Sequence, residues 1–368
     1  MKVFYYAGHP AQFLFFKNAY SILTEKGHDV CLAIKKKDVL ENLVQNSNIP
    51  YVNVLQKGRK NTKTGIITGL IKREWRLFCE IRKFRPDLIM GTDPALAHVG
   101  KILGIPVITT LEDDYKVIKK LAKITYPYTT NILVPEVCDT GKYSTKKIGY
   151  PGYMKLAYLH PSVFQKEEGI ETKYGLTNKF VIIRLASLTA HHDVGIKGIN
   201  DAVLDDLLNI IQAEGYTPWI SAESSTSEKY SKYLLAINPS DMHSVLANAS
   251  MLICDSQSMS VEAAILGTPS IRYSSFVGRI SVLQELEHRY NLTYGIQAGK
   301  ETLLLQKTKE LLNLANLRDI FEERRHKMLS EKINVTGFLV WFIENYPESK
   351  NLMKNKNYSF QQFITNNE

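Results

Sequence analysis

Short apolar runs that read as buried strands alternate with helical stretches along this chain, and the pattern is built up twice. In the first half the runs fall at 2–7 (KVFYYA), 29–34, 51–55, 87–91, 106–110 and 131–135. Helical patterns separate them at 11–26, 37–46, 65–84, 94–103 and 113–125. Strand and helix in turn, with short connections, imply a parallel sheet covered by helices on both faces. Around 145–178 the pattern weakens into a Gly-, Pro- and Tyr-rich stretch. It resumes with runs at 179–186, 217–222, 251–255, 269–273 and 292–296, followed by helices at 300–313 and 316–330. A length of 368 residues suits two such domains. We therefore expect a first α/β domain over 1–150, a connection over 151–178 and a second α/β domain over 179–332. An apolar helix at 333–346 is expected to cross back to the first domain, and a loosely held tail to occupy 347–368.

Composition narrows the function classes. With 44% hydrophobic and 23% charged residues the chain is of ordinary globular type. No apolar run approaches the ~20 residues that span a bilayer. The N-terminus has no small-residue cleavage site, so a cytoplasmic protein is expected. Four scattered cysteines form no CxxC pair, which argues against zinc. The net charge of +9 is uneven, since residues 57–85 hold ten Lys/Arg against two Glu. Ile67, Leu70, Ile71, Trp75, Phe78 and Ile81 recur there at helical spacing. The stretch reads as a core-facing helix with a solvated basic back, or as a positive face for anionic lipid headgroups at the inner membrane surface. Nucleic acid is not expected, because no interleaved aromatic or Gly-rich RNA-binding pattern accompanies the charge.

The most informative segment is LICDSQSMSVEAAILGTPSIRY, residues 252–273. A strand hands over to a helix through Ser256, Ser258 and Ser260, and Glu262 follows in the first turn. In open parallel sheets ligands gather beyond the carboxyl ends of strands, where helix N–H groups and the dipole favour an anion. Hydroxyls could donate to phosphate, and a carboxylate could accept from a ribose. Serine caps followed by an early glutamate are also common at ordinary helix starts, so both readings stand.

SDMHSVLANASMLICDSQSMSVEAAILGTPSIR resembles the nucleotide-binding segment of the GT-B superfamily. It is most similar there to the non-hydrolysing UDP-N-acetylglucosamine 2-epimerases and to an uncharacterised prokaryotic family related to them. The likeness to that family extends to GHPAQFLFFKN (8–18), YPGYMKLAYLHP (150–161), HHDVGIKG (191–198) and INVTGF (333–338). It implies an α/β, GT-B-like architecture of two Rossmann-like domains whose parallel sheets face a central cleft, with the nucleotide on the second. Carried over, Ser256, Ser258, the Met259 backbone and Ser260 would hold a diphosphate, and Glu262 a ribose. Arg272, on the following strand, joins this binding set.

Other residues extend the site. His9 lies where the first strand turns into the first helix and could serve as a general base, as in several inverting GT-B enzymes, or could merely cap a helix. GTDPALAHVGKILGIPVITTLEDDY (91–115) resembles the epimerase stretch that supplies acidic catalytic residues, which singles out Asp93 and Glu112. RLASLTAHHDVGIKG (184–198) resembles the loop facing the nucleotide sugar, so Arg184, His191 and Lys197 would neutralise the diphosphate. Here the arginine pair that follows the epimerase histidine is replaced by His192-Asp193, a departure that weakens an epimerase assignment. A metal site at His191-His192-Asp193 is not expected, because neighbouring side chains point apart.

The resulting expectation is a glycosyltransferase moving a sugar from a nucleotide donor, UDP-linked by preference, to a glycan or lipid-linked acceptor of cell-surface synthesis. No tightly bound cofactor is expected. A nucleotide-sugar epimerase and a non-catalytic nucleotide-sugar-binding protein are the alternatives.

Overall fold

The computed structural model describes residues 1–35, 38–55, 63–186, 198–223, 226–355 and 358–364. The chain divides into two compact units, one of Met1–Val163 with Lys332–Glu368 and one of Phe164–Glu331.

Unit 1 is built on strands β1 (Lys2–Ala7), β2 (Asp29–Lys35), β3 (Tyr51–Leu55), β4 (Leu88–Gly91), β5 (Val107–Thr110), β6 (Asn131–Pro135) and β7 (Lys147–Tyr150). They pair in the order β3-β2-β1-β4-β5-β6-β7, every pair parallel. Val3 to Ala7 are all buried because both faces of the sheet are covered. Tyr5 stacks on Phe16 of the helix Pro10–Glu25, with ring centroids 4.0 Å apart. Its neighbours Phe4 and Tyr6 point the other way and pack with Leu77 and Ile81 of the helix Lys63–Phe84. That helix carries the chain from the edge strand β3 across to β4. The direction of winding thus reverses between β1 and β4, whose C-terminal ends lie side by side.

Gly91 closes β4 at that point, paired in register with Tyr6. Its φ of 148° is one that only glycine adopts readily, and an added Cβ would come within 2.7 Å of the Tyr6 carbonyl oxygen.

Three features differ from the sequence expectation. Strand β7 is not among the expected strands and falls where the pattern weakens after 145, and unit 1 continues to Val163. The helix expected at 113–125 begins only at Lys119. Asp114 accepts the Asp139 N–H at 2.7 Å, and Tyr115 donates to the Asp139 carbonyl at 2.7 Å, so these two residues bond to another loop, and 114–118 close only a single turn, in which the Val117 and Ile118 N–H groups both reach the Asp114 carbonyl. The described part of the tail is held as well: Glu348–Lys354 is helical, and the ring of Phe363 lies 5.6 Å from Phe338 and 5.4 Å from Trp341. Both partners belong to the helix Val335–Glu344, which is part of unit 1.

Unit 2 contains β8 (Phe180–Leu185), β9 (Thr217–Ala222), β10 (Met251–Cys254), β11 (Ser270–Tyr273) and β12 (Tyr294–Ile296). Their order is β12-β11-β10-β8-β9, again all parallel. Here the winding reverses between β8 and β10. Among the described residues no helix is long and apolar enough to cross a membrane.

Candidate functional site

The reversal between β8 and β10 is where a doubly wound sheet leaves a crevice beyond its carboxyl edge. The chain leaves β10 through Asp255 and enters the helix Gln257–Leu266 at Ser256. Ser256 is the N-cap, its Oγ accepting the Met259 N–H at 3.4 Å. The expected capping role and the expected anion-facing position therefore fall on the same residue. Ser258 and Glu262 are half-buried. Glu262 lies 3.6 Å from Nε2 of His243, whose ring meets Phe164 edge to face.

Ser260 does not join them, which corrects the carried-over assignment. It is completely buried, and its hydroxyl bonds to Thr293 at 2.8 Å and Ser270 at 3.4 Å beneath the helix. Helix residues two apart point in nearly opposite directions, so Ser258 and Ser260 cannot serve one ligand. Ser260→Ala should cost about 1 kcal/mol in chemical denaturation, the worth of a lost buried hydrogen bond.

Two arginines expected at the ligand are engaged elsewhere. Arg184, at the end of β8, donates through Nη1 to Ser221 and through Nη2 to Glu223, both at 2.7 Å. Its guanidinium fork is thus spent across the neighbouring strand β9. Arg272, on β11, is 1% exposed and reaches the helix start only through Gln257, whose Oε1 accepts from Nη1 at 2.9 Å. Among the described residues, no hydrogen-bond partner reaches its Nε or Nη2, and Glu287 stands 4.0 Å away. Burial lowers the pKa of this guanidinium, while Cys254 and Glu287 oppose the shift. Arg272 therefore adds positive charge beneath the helix start rather than a direct ligand contact. His191 and Lys197 lie outside the described residues.

Asp255 escaped the sequence reading. It is 4% exposed, and its Oδ1 accepts the Ala186 N–H at 2.7 Å. The Ile199 N–H also bonds to this carboxylate. The side chain sits so close to Gly198 that any added Cβ there would collide with its carboxylate. Asp255 thus ties the end of β8 to residues 198–199. Burial pushes its pKa up to about 6, with the two amides pulling the other way.

At the β1–β4 reversal in unit 1, the first residue after each strand turn caps a helix. His9 is exposed and caps Pro10–Glu25, Nδ1 accepting the Ala11 N–H at 3.3 Å. With Nδ1 accepting, the neutral ring carries its proton on Nε2, which then donates rather than accepts. To act as a base the ring must first leave this bond. Asp93 caps Pro94–Leu103, accepting from the Ala95 N–H at 3.0 Å. Nε of Arg73 lies 3.2 Å away as a charge contact.

Glu112 is not placed as a free acid, contrary to expectation. One carboxylate oxygen pairs with Nζ of Lys155, itself 6% exposed, and the other accepts the Met154 N–H at 2.9 Å. The pair fastens the end of β5 to residues 154–155, which is a structural task. Asp114 is likewise buried and committed to the Asp139 amide. Among the described residues no group of three His, Cys, Asp or Glu side chains is arranged to hold a metal ion.

Comparison with known proteins accords with this architecture. A family model described as "Protein of unknown function (DUF354)" matches residues 4–340. No curated protein matches the chain. Among solved structures, S. aureus MnaA in a co-structure with UDP superposes with a TM-score of 0.67 at 14% identity, covering 95% of this chain and 97% of that one. The UDP-N-acetylglucosamine 2-epimerase from Rickettsia bellii gives 0.64 at 15% identity, covering 98% and 100%. The glycosyltransferase SsfS6 from Streptomyces sp. SF2575 gives 0.56 at 12% identity, covering 94% and 100%. The fold is therefore α/β and GT-B-like, as the resemblance implied.

Proposed function

Because the chain belongs to the DUF354 family, whose description leaves its activity open, we propose the reading its own residues support best. It is a nucleotide-sugar-dependent glycosyltransferase acting in cell-surface polysaccharide or glycolipid synthesis. The observation that carries the reading is the helix start beyond β10. A helix N-terminus capped by Ser256, with half-buried Ser258 in its first turn and half-buried Glu262 in its second, lies there at the reversal point of a parallel sheet.

In this reading the N–H groups at 257–258 and the Ser258 hydroxyl receive the donor's diphosphate, with Arg272 beneath them. Glu262, beside His243, accepts from the ribose hydroxyls. UDP is the preferred nucleotide, since a structural relative was solved with UDP bound. During transfer the bond from the sugar's anomeric carbon to the diphosphate breaks and one to the acceptor oxygen forms. The acceptor proton goes to a base, and the leaving charge develops against the helix N-terminus. His9 is the candidate base once its ring turns from the Ala11 amide, and Asp93 is the nearby carboxylate. Glu112 is omitted because both its oxygens are occupied. A lipid-linked acceptor and a peripheral position at the inner membrane face belong to the same reading.

A thermal-shift panel of UDP, GDP, CMP and dTDP tests the donor site. At ~100 times its Kd a ligand adds about 2.7 kcal/mol, so one nucleotide should raise the melting temperature clearly. The shift should vanish in Glu262→Ala. No response to any nucleotide would reduce the serine turn to a helix cap and remove the basis of the reading. Solvent deuterium entering the sugar at C2 would instead identify an epimerase. Binding with no turnover of any donor would leave a binding protein.

A further inference from the structure

Five large apolar side chains stand exposed in unit 1 around a single histidine. His98, on the helix Pro94–Leu103, reaches Glu74 through Nδ1 at 2.5 Å and the Ile124 carbonyl through Nε2 at 2.7 Å. Its ring meets Tyr128 edge to face, 4.8 Å between centroids. It thus joins the helices Lys63–Phe84, Pro94–Leu103 and Lys119–Thr125 on one side of the sheet. Ile71 and Trp75 flank Glu74 at a helical i, i+4 spacing, Ile102 lies one turn beyond His98, and Ile124 and Tyr128 bracket the third contact. Their exposures run from 45% for Tyr128 to 68% for Trp75 and 72% for Ile102. A soluble surface scatters such residues singly, so five around one side chain form a patch that calls for an occupant.

The charges around it say which. Lys72, Arg76, Lys101, Lys119, Lys120 and Lys123 are all exposed on the same three helices. The helices Pro94–Leu103 and Lys119–Thr125 contain no acidic residue, and Glu74 is already paired with His98. We propose that this face, with Trp75 and Ile102 as its most exposed apolar side chains, docks the protein on an anionic lipid bilayer. Aromatic and branched side chains enter the headgroup boundary while a ring of lysines meets the acidic headgroups. A second copy of the chain fits worse, because a two-fold contact would press six cations against six. The inference rests on the lipid-linked part of the proposed function for its purpose, but its side chains are independent of the donor site. The test below contains no nucleotide sugar, so the two readings fail separately.

The experiment is vesicle flotation of the full chain with phosphatidylglycerol–phosphatidylcholine liposomes, with pure phosphatidylcholine as reference. The protein should float with the acidic vesicles at least tenfold more than with the neutral ones, and less as salt is raised. Bromine-labelled acyl chains should quench tryptophan emission, and that quenching should be lost in Trp75→Phe. Trp75→Ser combined with Ile102→Ser should cut flotation at least tenfold while leaving the melting temperature unchanged, since both side chains face solvent. Equal recovery with and without acidic vesicles would overturn the proposal, as would unaltered flotation of the double variant. A concentration-dependent dimer that the same variant dissolves would also overturn it and assign the patch to self-association.

Discussion

Lys155→Met should lose about 3–5 kcal/mol of unfolding free energy in urea denaturation, the usual consequence of leaving a buried charge without its partner. Lys155 is 6% exposed, and the pairing Glu112 is nearly as enclosed. In water each ion would be solvated, so removing one leaves the other to bear its desolvation alone. Glu112→Gln should be milder, because an amide oxygen can still accept the Met154 N–H that the carboxylate now accepts at 2.9 Å. The double variant Glu112→Gln with Lys155→Met should recover most of the loss. This series also decides the role of Glu112. If the pair is structural, nucleotide binding or turnover found under the proposed function follows the fraction folded in the double variant. A folded double variant that has lost activity a hundredfold or more would return Glu112 to the chemistry.

How far the chain could be read in advance depended on the distance over which each feature is determined. Strands β1 to β6 were legible because each is a compact apolar run between helical stretches, and the Ser256 cap was legible because a cap is settled within four residues. Strand β7 was not, since KIGY carries a lysine and a glycine and is followed by proline. It is a strand because β6 offers it an edge. The fates of the arginines were also out of reach. Arg184 is claimed by Ser221 and Glu223, 37 and 39 positions away, and nothing local signals that. Ser260 is a different case. The spacing Ser256-Ser258-Ser260 looks like one hydroxyl surface in the sequence, yet helical geometry turns Ser260 toward Thr293. An angular reading of the helix would have excluded it. Glu112 was singled out by the likeness of its stretch to one that supplies acidic catalytic residues, and with Asp113 and Asp114 it makes three acids in succession, which need compensation. The compensation is present as Lys155 and the Met154 and Asp139 amides, and it serves the fold.

Asp255 yields the second large effect. Its pKa stands at about 6 in the folded protein, against an ordinary carboxylate value of 3.8. Because the folded value is raised, the folded state holds this proton to higher pH than the unfolded chain does. The group's favourable contribution is complete below about pH 4 and is lost as pH rises through 6. A displacement of about two pH units corresponds to roughly 3 kcal/mol. The stability difference between the natural protein and Asp255→Asn should therefore shift by about that amount in favour of the variant between pH 4 and pH 8. Urea denaturation at several pH values measures it, and the constant offset from the amide cancels in the comparison. A difference that stays flat across this range would mean that the carboxyl is not desolvated as its burial implies. Such a cost at neutral pH makes sense only if the charge is useful there. Asp255 gathers the Ala186 and Ile199 amides against the strand end beside the serine turn, and a neutral amide holds two N–H donors less firmly than a carboxylate. Asp255→Asn should accordingly gain stability relative to the natural protein between pH 4 and pH 8 and, under the proposed function, bind nucleotide more weakly, with a thermal shift reduced alongside that of Glu262→Ala. A variant that gains this stability with binding undiminished would show that the buried charge does not serve the site.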